Sequence, residues 1–168
     1  MKRIVLGISG ARPPKVRQGN PQYDELLALA MECRDLLLST SKKVVVVHGG
    51  AAGIDTIASI AAREAGHAEV THLPDYAKYN PRQAPLERNS LIVKDIVDDP
   101  SGELHAFPAS YSSGTFDTIQ KMALEDLSKL WVHYYDPDLK EVVRLRSSEA
   151  VSYLESIGHE IKLHAKQR

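Results

Sequence analysis

The chain alternates short apolar or β-branched runs with longer stretches in which apolar residues recur every three or four positions. The short runs, each with the length of a strand, are residues 4–8, 44–47, 69–73, 104–107 and 130–135. The helical period is found at residues 22–38, 54–65, 86–97 and 116–127. Strands that alternate with helices predict parallel βαβ units. We therefore expect an α/β protein with a Rossmann-like, doubly wound, mostly parallel sheet and helices on both faces.

The C-terminal part of the chain, residues 136–168, follows a different pattern. Four signals come in order: a turn at 136–140, an antiparallel strand at 141–145, a helix at 149–157 capped by Ser147 and Ser148 and closed by Gly158, and an edge strand at 159–164. We expect a single domain over residues 1–168. Its core would lie at about residues 4–135, and residues 136–168 would be a C-terminal extension that adds an antiparallel edge to the sheet.

A glycine-rich stretch joins the second predicted strand to the helix that follows it. Its sequence is His-Gly-Gly-Ala-Ala-Gly-Ile-Asp at residues 48–55. A strand that ends in glycines and continues as a helix brings backbone N–H groups to a helix N-terminus, which suits a phosphate. The residues that would allow close approach of a ligand are Gly49, Gly50, Ala51 and Gly53. Asp55 would either cap backbone donors or accept hydrogen bonds from a ribose. A tight turn that binds nothing is the alternative.

Three further loops follow predicted strands and carry chemistry of the same kind. Their candidate ligand-binding residues are Ser9, Gly10 and Arg12 after the first strand, Arg88 and Asn89 after the third, and Ser112, Ser113, Gly114 and Thr115 after the fourth. Parallel strands place such loops at one edge of the sheet, where α/β proteins bind ligands. Arg12 would hold a phosphate or form a surface ion pair. Arg88 early in a helix opposes the helix dipole unless an anion lies nearby.

Charge and cysteine content exclude several classes of protein. The 168 residues carry a formal net charge of −1, so no overall field attracts a polyanion, and nucleic acid is an unlikely partner. Cys33 is the single cysteine, which excludes an internal disulfide and a cysteine-based metal site. Its place in an apolar helical pattern predicts a buried thiol.

Targeting and metal-binding signals are also missing from the sequence. His48, His72 and His105 lie on separate predicted strands, and no His, Asp or Glu spacing indicates a metal, so we expect neither a metal nor a cofactor. The N-terminus reaches Gly7 too early for a signal peptide, and no apolar run is long enough to span a membrane. We expect a cytoplasmic protein that does not associate with membranes.

Four motifs in this order resemble a known family. They are His-Gly-Gly-Ala-Ala-Gly-Ile-Asp at 48–55, Asp75-Tyr76, Arg88-Asn89, and Ala-Phe-Pro at 106–108 followed by Ser113-Gly114-Thr115. Together they resemble the SLOG superfamily, which includes the DNA-processing protein DprA and the Lonely Guy phosphoribohydrolases. The chain is most similar to the small YspA-like branch, over about residues 4–135. The resemblance implies a Rossmann-like fold that binds nucleotides or nucleotide-derived molecules, and a homo-oligomer.

The catalytic motif of the Lonely Guy enzymes is only partly present. In those enzymes Pro-Gly-Gly-x-Gly-Thr-x-x-Glu ends in a catalytic glutamate that an arginine assists. Gly114 and Thr115 match this motif, whereas Thr118 stands at the glutamate position and Asp117 lies one residue earlier. The stretch after Pro108 also lacks the paired glycines and contains an insertion. These departures favour binding over hydrolysis.

The sequence therefore predicts a protein that binds a nucleotide or a nucleotide-derived small molecule through phosphate-cradling loops. The alternative is a nucleoside 5′-monophosphate N-glycosidase. In that enzyme Arg12 or Arg88 would hold the phosphate, and Asp117 or Asp75 would stabilise charge at the sugar or activate water.

Single-stranded DNA binding is a weaker alternative. It needs a basic groove with stacking aromatic residues. Lys15, Arg17 and Arg82 are too few and too dispersed in the sequence to predict such a groove.

Overall fold

The computed structural model describes residues 3–167, which form six strands and five α-helices. In chain order the elements are β1 (Ile4–Gly10), α1 (Pro21–Ser39), β2 (Val44–His48), α2 (Ile54–Ala65), β3 (Ala68–Thr71), α3 (Gln83–Val97), β4 (Glu103–Phe107), α4 (Gly114–Asp126), β5 (Leu130–Asp136), β6 (Glu141–Arg146) and α5 (Ser147–Ser156). Short 3-10 turns at Leu127–Lys129 and Ala165–Gln167 follow α4 and α5.

The six strands form one sheet in the order β3-β2-β1-β4-β5-β6. β1 to β5 are mutually parallel, and β6 runs antiparallel to β5. The prediction of a mostly parallel, doubly wound sheet with an antiparallel C-terminal edge is therefore confirmed. The strand order reverses at β1, which pairs with β2 on one side and β4 on the other. Ligands bind α/β proteins outside such a switch point.

Helices cover both faces of the sheet, and each face has its own apolar core. On one face α1 and α2 bury Leu29, Cys33 and Ala58 against the sheet. On the other face α3, α4 and α5 bury residues such as Ile96 and Met122. The buried thiol predicted for Cys33 is confirmed. The described helices include none that is long and apolar enough to cross a membrane.

The C-terminal segment contributes to the second of these cores but differs in detail from the prediction. Leu154 and Ile161 are buried in it. The predicted strand at 159–164 is wrong, because Gln120 on α4 hydrogen-bonds both the N–H and the carbonyl of Lys162 and holds this segment against the helix. Gly158 closes α5 with φ +96°, as predicted.

Two helix starts also differ from the sequence prediction. α5 begins at Ser147 directly after β6, and its N-cap is Arg146, so the predicted serine cap is wrong. α3 begins at Gln83, three residues before the predicted start. The Asn80 side chain accepts hydrogen bonds from the N–H groups of Arg82 and Gln83, and Pro85 lies within the first turn, where proline is tolerated.

Candidate functional site

A cavity of about 660 Å³ opens at the carboxyl edge of the sheet, where β1, β2 and β4 end. It brings together the sequence-predicted residues Ser9, Gly10, Arg12, Ala51, Asp55, Arg88, Asn89, Ser112, Ser113, Gly114 and Thr115. The predicted residues outside its lining are Gly49, Gly50, Gly53, Asp75 and Asp117. Parallel strands with loops at one edge account for the first group, as the sequence argument expected.

The glycine-rich loop before α2 uses its backbone donors internally. Oδ2 of Asp55 accepts hydrogen bonds from the N–H groups of Gly49 at 3.1 Å and Ala51 at 3.2 Å. The N–H of Gly50 donates to Nδ1 of His48 at 2.9 Å. The N–H of Ile54 donates to the carbonyl of Ala11 at 3.1 Å. Asp55 therefore caps this loop, and these four amides are engaged within the protein.

The Asp55 carboxyl group is almost fully buried. Burial raises the pKa of Asp55 above its ordinary value, while the amide of Ala51 and the charges of His48 and Arg88 act in the opposite direction. Its second oxygen, Oδ1, is buried and has no hydrogen-bond partner among the described residues. This carboxyl group stabilises the loop at the expense of its own desolvation.

Glycines in this loop make room for neighbouring groups of the protein. Gly53 has φ +96°, and a Cβ there would overlap the carbonyl of Ala11 on the adjacent strand end. A Cβ on Gly49 would overlap the guanidinium group of Arg88. The glycines therefore allow β1, α2 and Arg88 to pack closely around the loop.

Arg88 projects from α3 into the site and is only 7% exposed. Nε donates to Oδ1 of Asn89 at 3.0 Å, and Nη1 donates to the carbonyl of Gly49 at 2.5 Å. Burial and the nearby charge of Arg12 lower the pKa of Arg88, and the charge of Asp55 opposes them. Within the described residues no carboxylate forms an ion pair with Arg88. The guanidinium group is thus oriented by the protein while its charge is left unpaired.

At the loop before α4, in contrast to the loop before α2, the first N–H groups of the helix have no hydrogen-bond acceptor among the described residues. Glu25 on α1 holds this loop by accepting hydrogen bonds from the N–H and Oγ of Ser110, at 2.6 and 2.9 Å. The helix N-cap is Ser113, whose side chain makes no capping hydrogen bond. In the described part of the chain, no hydrogen bond engages the N–H groups of Gly114, Thr115 and Phe116. The free positive end of this helix lies at the cavity wall.

Four cationic side chains line the cavity: Arg12, Lys15, Arg82 and Arg88. None of them forms an ion pair with a described residue, and Asp55 is the one carboxylate among the described lining residues. The chain as a whole carries a net charge of −1, so the cavity concentrates positive charge that the composition does not reveal. Lys15 and Arg82 are dispersed in the sequence, but the fold brings both to this cavity. Arg17 lies outside its lining.

The two carboxylates considered as catalytic acids have other partners. Oδ1 of Asp75 accepts hydrogen bonds from the N–H groups of Ala77 and Lys78 and so caps an exposed turn. Oδ2 of Asp117 accepts hydrogen bonds from Nδ2 of Asn89 at 3.0 Å and from Nζ of Lys121 at 2.7 Å. Asp117 therefore orients Asn89, which lines the cavity, although Asp117 itself lies outside the cavity lining.

Thr118, at the position of the family's glutamate, is fully buried. Its hydroxyl group accepts a hydrogen bond from Oγ of Ser9 at 3.3 Å and lies 3.4 Å from the carbonyl of Gly114, to which it donates. Thr118 thus ties α4 to the end of β1. It places no charge in the cavity.

The histidines of the sheet have protein partners. His48 contacts Glu69, His72 contacts Asp95, and His105 contacts His133. Across the described residues, no group of three or more His, Cys, Asp or Glu side chains is placed to hold a metal ion. The donors of the cavity are cations, hydroxyl groups and amides, which suit an anion.

The fold and the cavity define an α/β protein of Rossmann-like architecture with a basic cleft at its topological switch point. No protein-family model matches the chain, and no curated protein matches it significantly. Among solved structures, TM1055 shares 19% identity over 93% of this chain and 99% of its own, with a TM-score of 0.49. DNA processing protein A (DprA) from Streptococcus pneumoniae shares 13% identity, with a TM-score of 0.53.

The likeness to DprA covers 98% of this chain and 60% of the DprA chain. At this identity it shows the fold alone. It confirms the DprA-like Rossmann-like fold that the resemblance to the SLOG superfamily implied. The assignment to the YspA-like branch stays a prediction.

Proposed function

We propose that the chain binds a nucleotide or a nucleotide-derived small molecule in the cavity at the carboxyl edge of the sheet. A phosphate group of the ligand would lie between Arg88 and the N-terminus of α4. One observation carries the proposal: a buried guanidinium group without an ion-pair partner among the described residues and the free N–H groups of Gly114 and Thr115 belong to the same cavity.

The electrostatics of Arg88 support an anionic ligand. Removing a cation from water is unfavourable unless an opposite charge and hydrogen bonds compensate. The hydrogen bonds from Nε and Nη1 fix the plane of the guanidinium group, and a phosphate would supply the missing charge. The amides and the dipole of α4 favour the same charge.

The remaining walls of the cavity suit a base and a sugar. Pro85, Leu86 and Ile92 provide an apolar surface, and Tyr111 adds an aromatic side chain to the lining. Small-molecule sites are typically about 300–1,000 Å³ in volume, mostly apolar, with a few oriented polar groups. The cavity volume of about 660 Å³ lies within that range.

Calorimetry with adenosine, AMP, ADP and ATP tests the binding proposal. Arg88→Met keeps the length of the apolar stem and removes the charge, so AMP affinity should fall roughly 10- to 150-fold, or about 1.5–3 kcal/mol. Arg63→Met is the matched control, since the Arg63 side chain is 76% exposed on α2 and lies outside the cavity. Failure of every nucleotide to bind, or equal AMP affinity in Arg88→Met and the wild type, contradicts the proposal.

We propose further that binding occurs with slow or absent hydrolysis. A glycosidase must stabilise positive charge at the sugar, and Thr118 offers no charge for this. Asp117 is one residue earlier, which rotates it by about 100° around the helix, and it is already bound to Lys121. The N-glycosidase stays the alternative, with Asp117 or Asp75 as its acid.

A panel of ribo- and deoxyribonucleoside monophosphates distinguishes these two functions. After incubation with the protein, chromatography should detect no release of free base above the rate without protein. Rapid release that disappears in Asp117→Asn would establish the enzyme instead. Asp126→Asn, at the far end of α4, is the control for loss of a carboxylate on that helix.

Cytoplasmic location and self-association are also proposals that rest on the sequence and on the resemblance. Sedimentation of the purified protein would give its oligomeric state. The absence of a nucleic-acid partner is likewise a proposal, which rests on the net charge of −1 and not on the charge of the cavity. An oligodeoxynucleotide in the calorimetric panel tests that expectation, since one structural neighbour is a DNA processing protein.

A further inference from the structure

We infer that the cavity holds two separate anionic groups, so that its ligand carries at least two phosphates. The inner subsite consists of Arg88 and the N-terminal amides of α4. The outer subsite consists of Lys15 and Arg82 at the rim. This inference rests on the proposed function and specifies the class of ligand that the same cavity takes.

The two subsites differ in depth and position. Arg82 is the N-cap of α3 and already has helical dihedral angles, φ −79° and ψ −41°. Arg88 follows six residues later, which corresponds to about 9 Å along the helix axis. Arg88 is 7% exposed, whereas Arg82 and Lys15 are exposed to solvent. A phosphate held deep in the cavity by Arg88 therefore leaves the rim cations without a partner.

The charge of the cavity exceeds what one phosphate can neutralise. Four cations and one carboxylate give its lining a formal charge of about +3. A phosphate monoester carries about −1.5 to −2 at neutral pH. A second phosphate group would balance most of the remainder. The cations lie in one cavity without ion-pair partners among the described residues, although the chain as a whole is slightly acidic.

The backbone that carries the rim cations is held in place. The hydroxyl group of Tyr23 donates to the carbonyl of Val16 at 3.2 Å, and that of Tyr111 donates to the carbonyl of Arg12 at 2.8 Å. These contacts flank Lys15 on both sides. The N–H of Arg82 donates to Oδ1 of Asn80 at 3.0 Å. Both rim cations thus extend from anchored backbone at the opening of the cavity.

Two kinds of ligand would supply the second phosphate. One is a diphosphate chain on a single nucleoside, and the other is the phosphodiester of a 5′-phosphorylated dinucleotide. Both place a second anion near the first. The two phosphorus atoms share one bridging oxygen in a diphosphate, whereas a sugar separates them in the dinucleotide. The probes AMP, ADP and the dinucleotide pApA separate these sources, because AMP has one phosphate and the other two probes differ in how the second is attached.

Calorimetry with these three probes tests the inference on the wild type and on the double variant Lys15→Gln/Arg82→Gln. In the wild type, ADP or pApA should bind about 10-fold or more tightly than AMP. The double variant should lose most of this gain, while its AMP affinity stays within about 3-fold of the wild type. Lys42→Gln/Arg63→Gln removes two exposed cations outside the cavity and should leave all three affinities unchanged.

The outcomes distinguish this inference from the proposed function. Equal affinity for AMP, ADP and pApA would overturn the second subsite and leave nucleotide binding intact. An equal loss for all three probes in Lys15→Gln/Arg82→Gln would also overturn it, since the two subsites would not be separate. If none of the probes binds the wild type, the proposed function itself fails. If only one of ADP and pApA binds more tightly than AMP, that probe identifies how the second phosphate is attached.

Discussion

The N-termini of α2 and α4 make an informative pair. Both helices follow a parallel strand, both begin after a loop of small residues, and both lie at the same edge of the sheet. Before α2, the carboxylate of Asp55 takes up the amides of Gly49 and Ala51. Before α4, no side chain of the described residues caps the helix. Similar local patterns therefore give one self-capped terminus and one that is free for an anion.

The two helices differ in how many of their N-terminal N–H groups already have a hydrogen-bond acceptor within the protein. Every buried N–H group needs a partner, and a carboxylate in the first turn of a helix is one way to supply it. At α2 the protein supplies that partner itself. The number of glycines in a loop is thus a weaker indicator of an anion site than the number of amides that remain unengaged.

The largest expected effect comes from removing the cap of α2. Asp55→Ala leaves the amides of Gly49 and Ala51 without an acceptor and should lower the free energy of unfolding by about 2–6 kcal/mol, since each of the two unsatisfied groups costs about 1–3 kcal/mol. Ser113→Ala at the N-cap of α4 should change it by less than about 0.5 kcal/mol, because that side chain makes no capping bond. Urea denaturation measures both. Equal losses in the two variants would remove the distinction between the helices.

A matched pair of glycine substitutions should give the next largest effect. The added methyl of Gly49→Ala would displace the Arg88 guanidinium group, so we expect a loss of about 1–3 kcal/mol in stability and weaker AMP binding. A Cβ on Gly114 meets no atom within 4 Å, and Gly114→Ala should stay within about 0.5 kcal/mol of the wild type. Thermal unfolding and calorimetry measure these effects. A destabilised Gly114→Ala variant with an unaffected Gly49→Ala variant would contradict the packing described for the two loops.

The pH dependence of stability should distinguish the two termini as well. Burial raises the pKa of Asp55 in the folded protein above its ordinary value of 3.8. The part of the stability that depends on protonation of this carboxyl group is then fully present below pH 3.8 and is lost as the pH rises through the folded pKa. Asp55→Asn does not titrate there, so its stability relative to the wild type should increase from pH 4 upwards.

Denaturation curves of the wild type and Asp55→Asn at a series of pH values provide this measurement. The total relative gain reports the pKa difference at about 1.4 kcal/mol per unit. Ser113→Ala serves as the comparison at α4 and should show a pH profile parallel to the wild type. A relative stability of Asp55→Asn that does not vary with pH would contradict the raised pKa.

The smallest effect, but the most direct one, is expected in the amide spectrum. On addition of AMP, the resonances of Gly114, Thr115 and Phe116 should shift, whereas those of Gly49 and Ala51 should change little, because Asp55 already engages them. Two-dimensional amide NMR measures the shifts, with adenosine as the control that lacks a phosphate. Larger shifts at Gly49 and Ala51 than at α4 would reverse the assignment of the anion-binding helix.

The order of elements and the meeting of the candidate loops at one edge of the sheet could be predicted from the sequence. Alternating strand and helix patterns fix parallel βαβ connections, and parallel strands bring the loops of Arg12, Arg88 and Thr115 to one edge. Local sequence signals gave a wrong secondary structure where tertiary contacts determine the conformation. The strand predicted at 159–164 is one example, because Gln120 binds the backbone of this segment and holds it against α4.

Details of the site depended on information that one-dimensional patterns lack. The sequence left open whether Asp55 caps the loop or contacts a ribose, and the geometry of Oδ2 favours the cap. The grouping of Lys15 and Arg82 was missed, because their loops are distant in sequence and meet only through the sheet. A signal did exist, since each cation follows a strand end and has no acidic residue three or four positions away to pair with.

The pairing of β1 with β4 has a consequence for how the protein folds. Ser9 lies beside Ala106 in the register of these strands, so the central step of sheet formation closes a loop of about 100 residues. A growing polypeptide can form β1, α1, β2, α2 and β3 while the rest is still being synthesised, and the three strands among these elements make up one half of the sheet. The cavity also needs α3, β4 and the start of α4, which follow them in the chain. Nascent chains released before β4 would therefore contain the glycine-rich loop in full and still have no binding site.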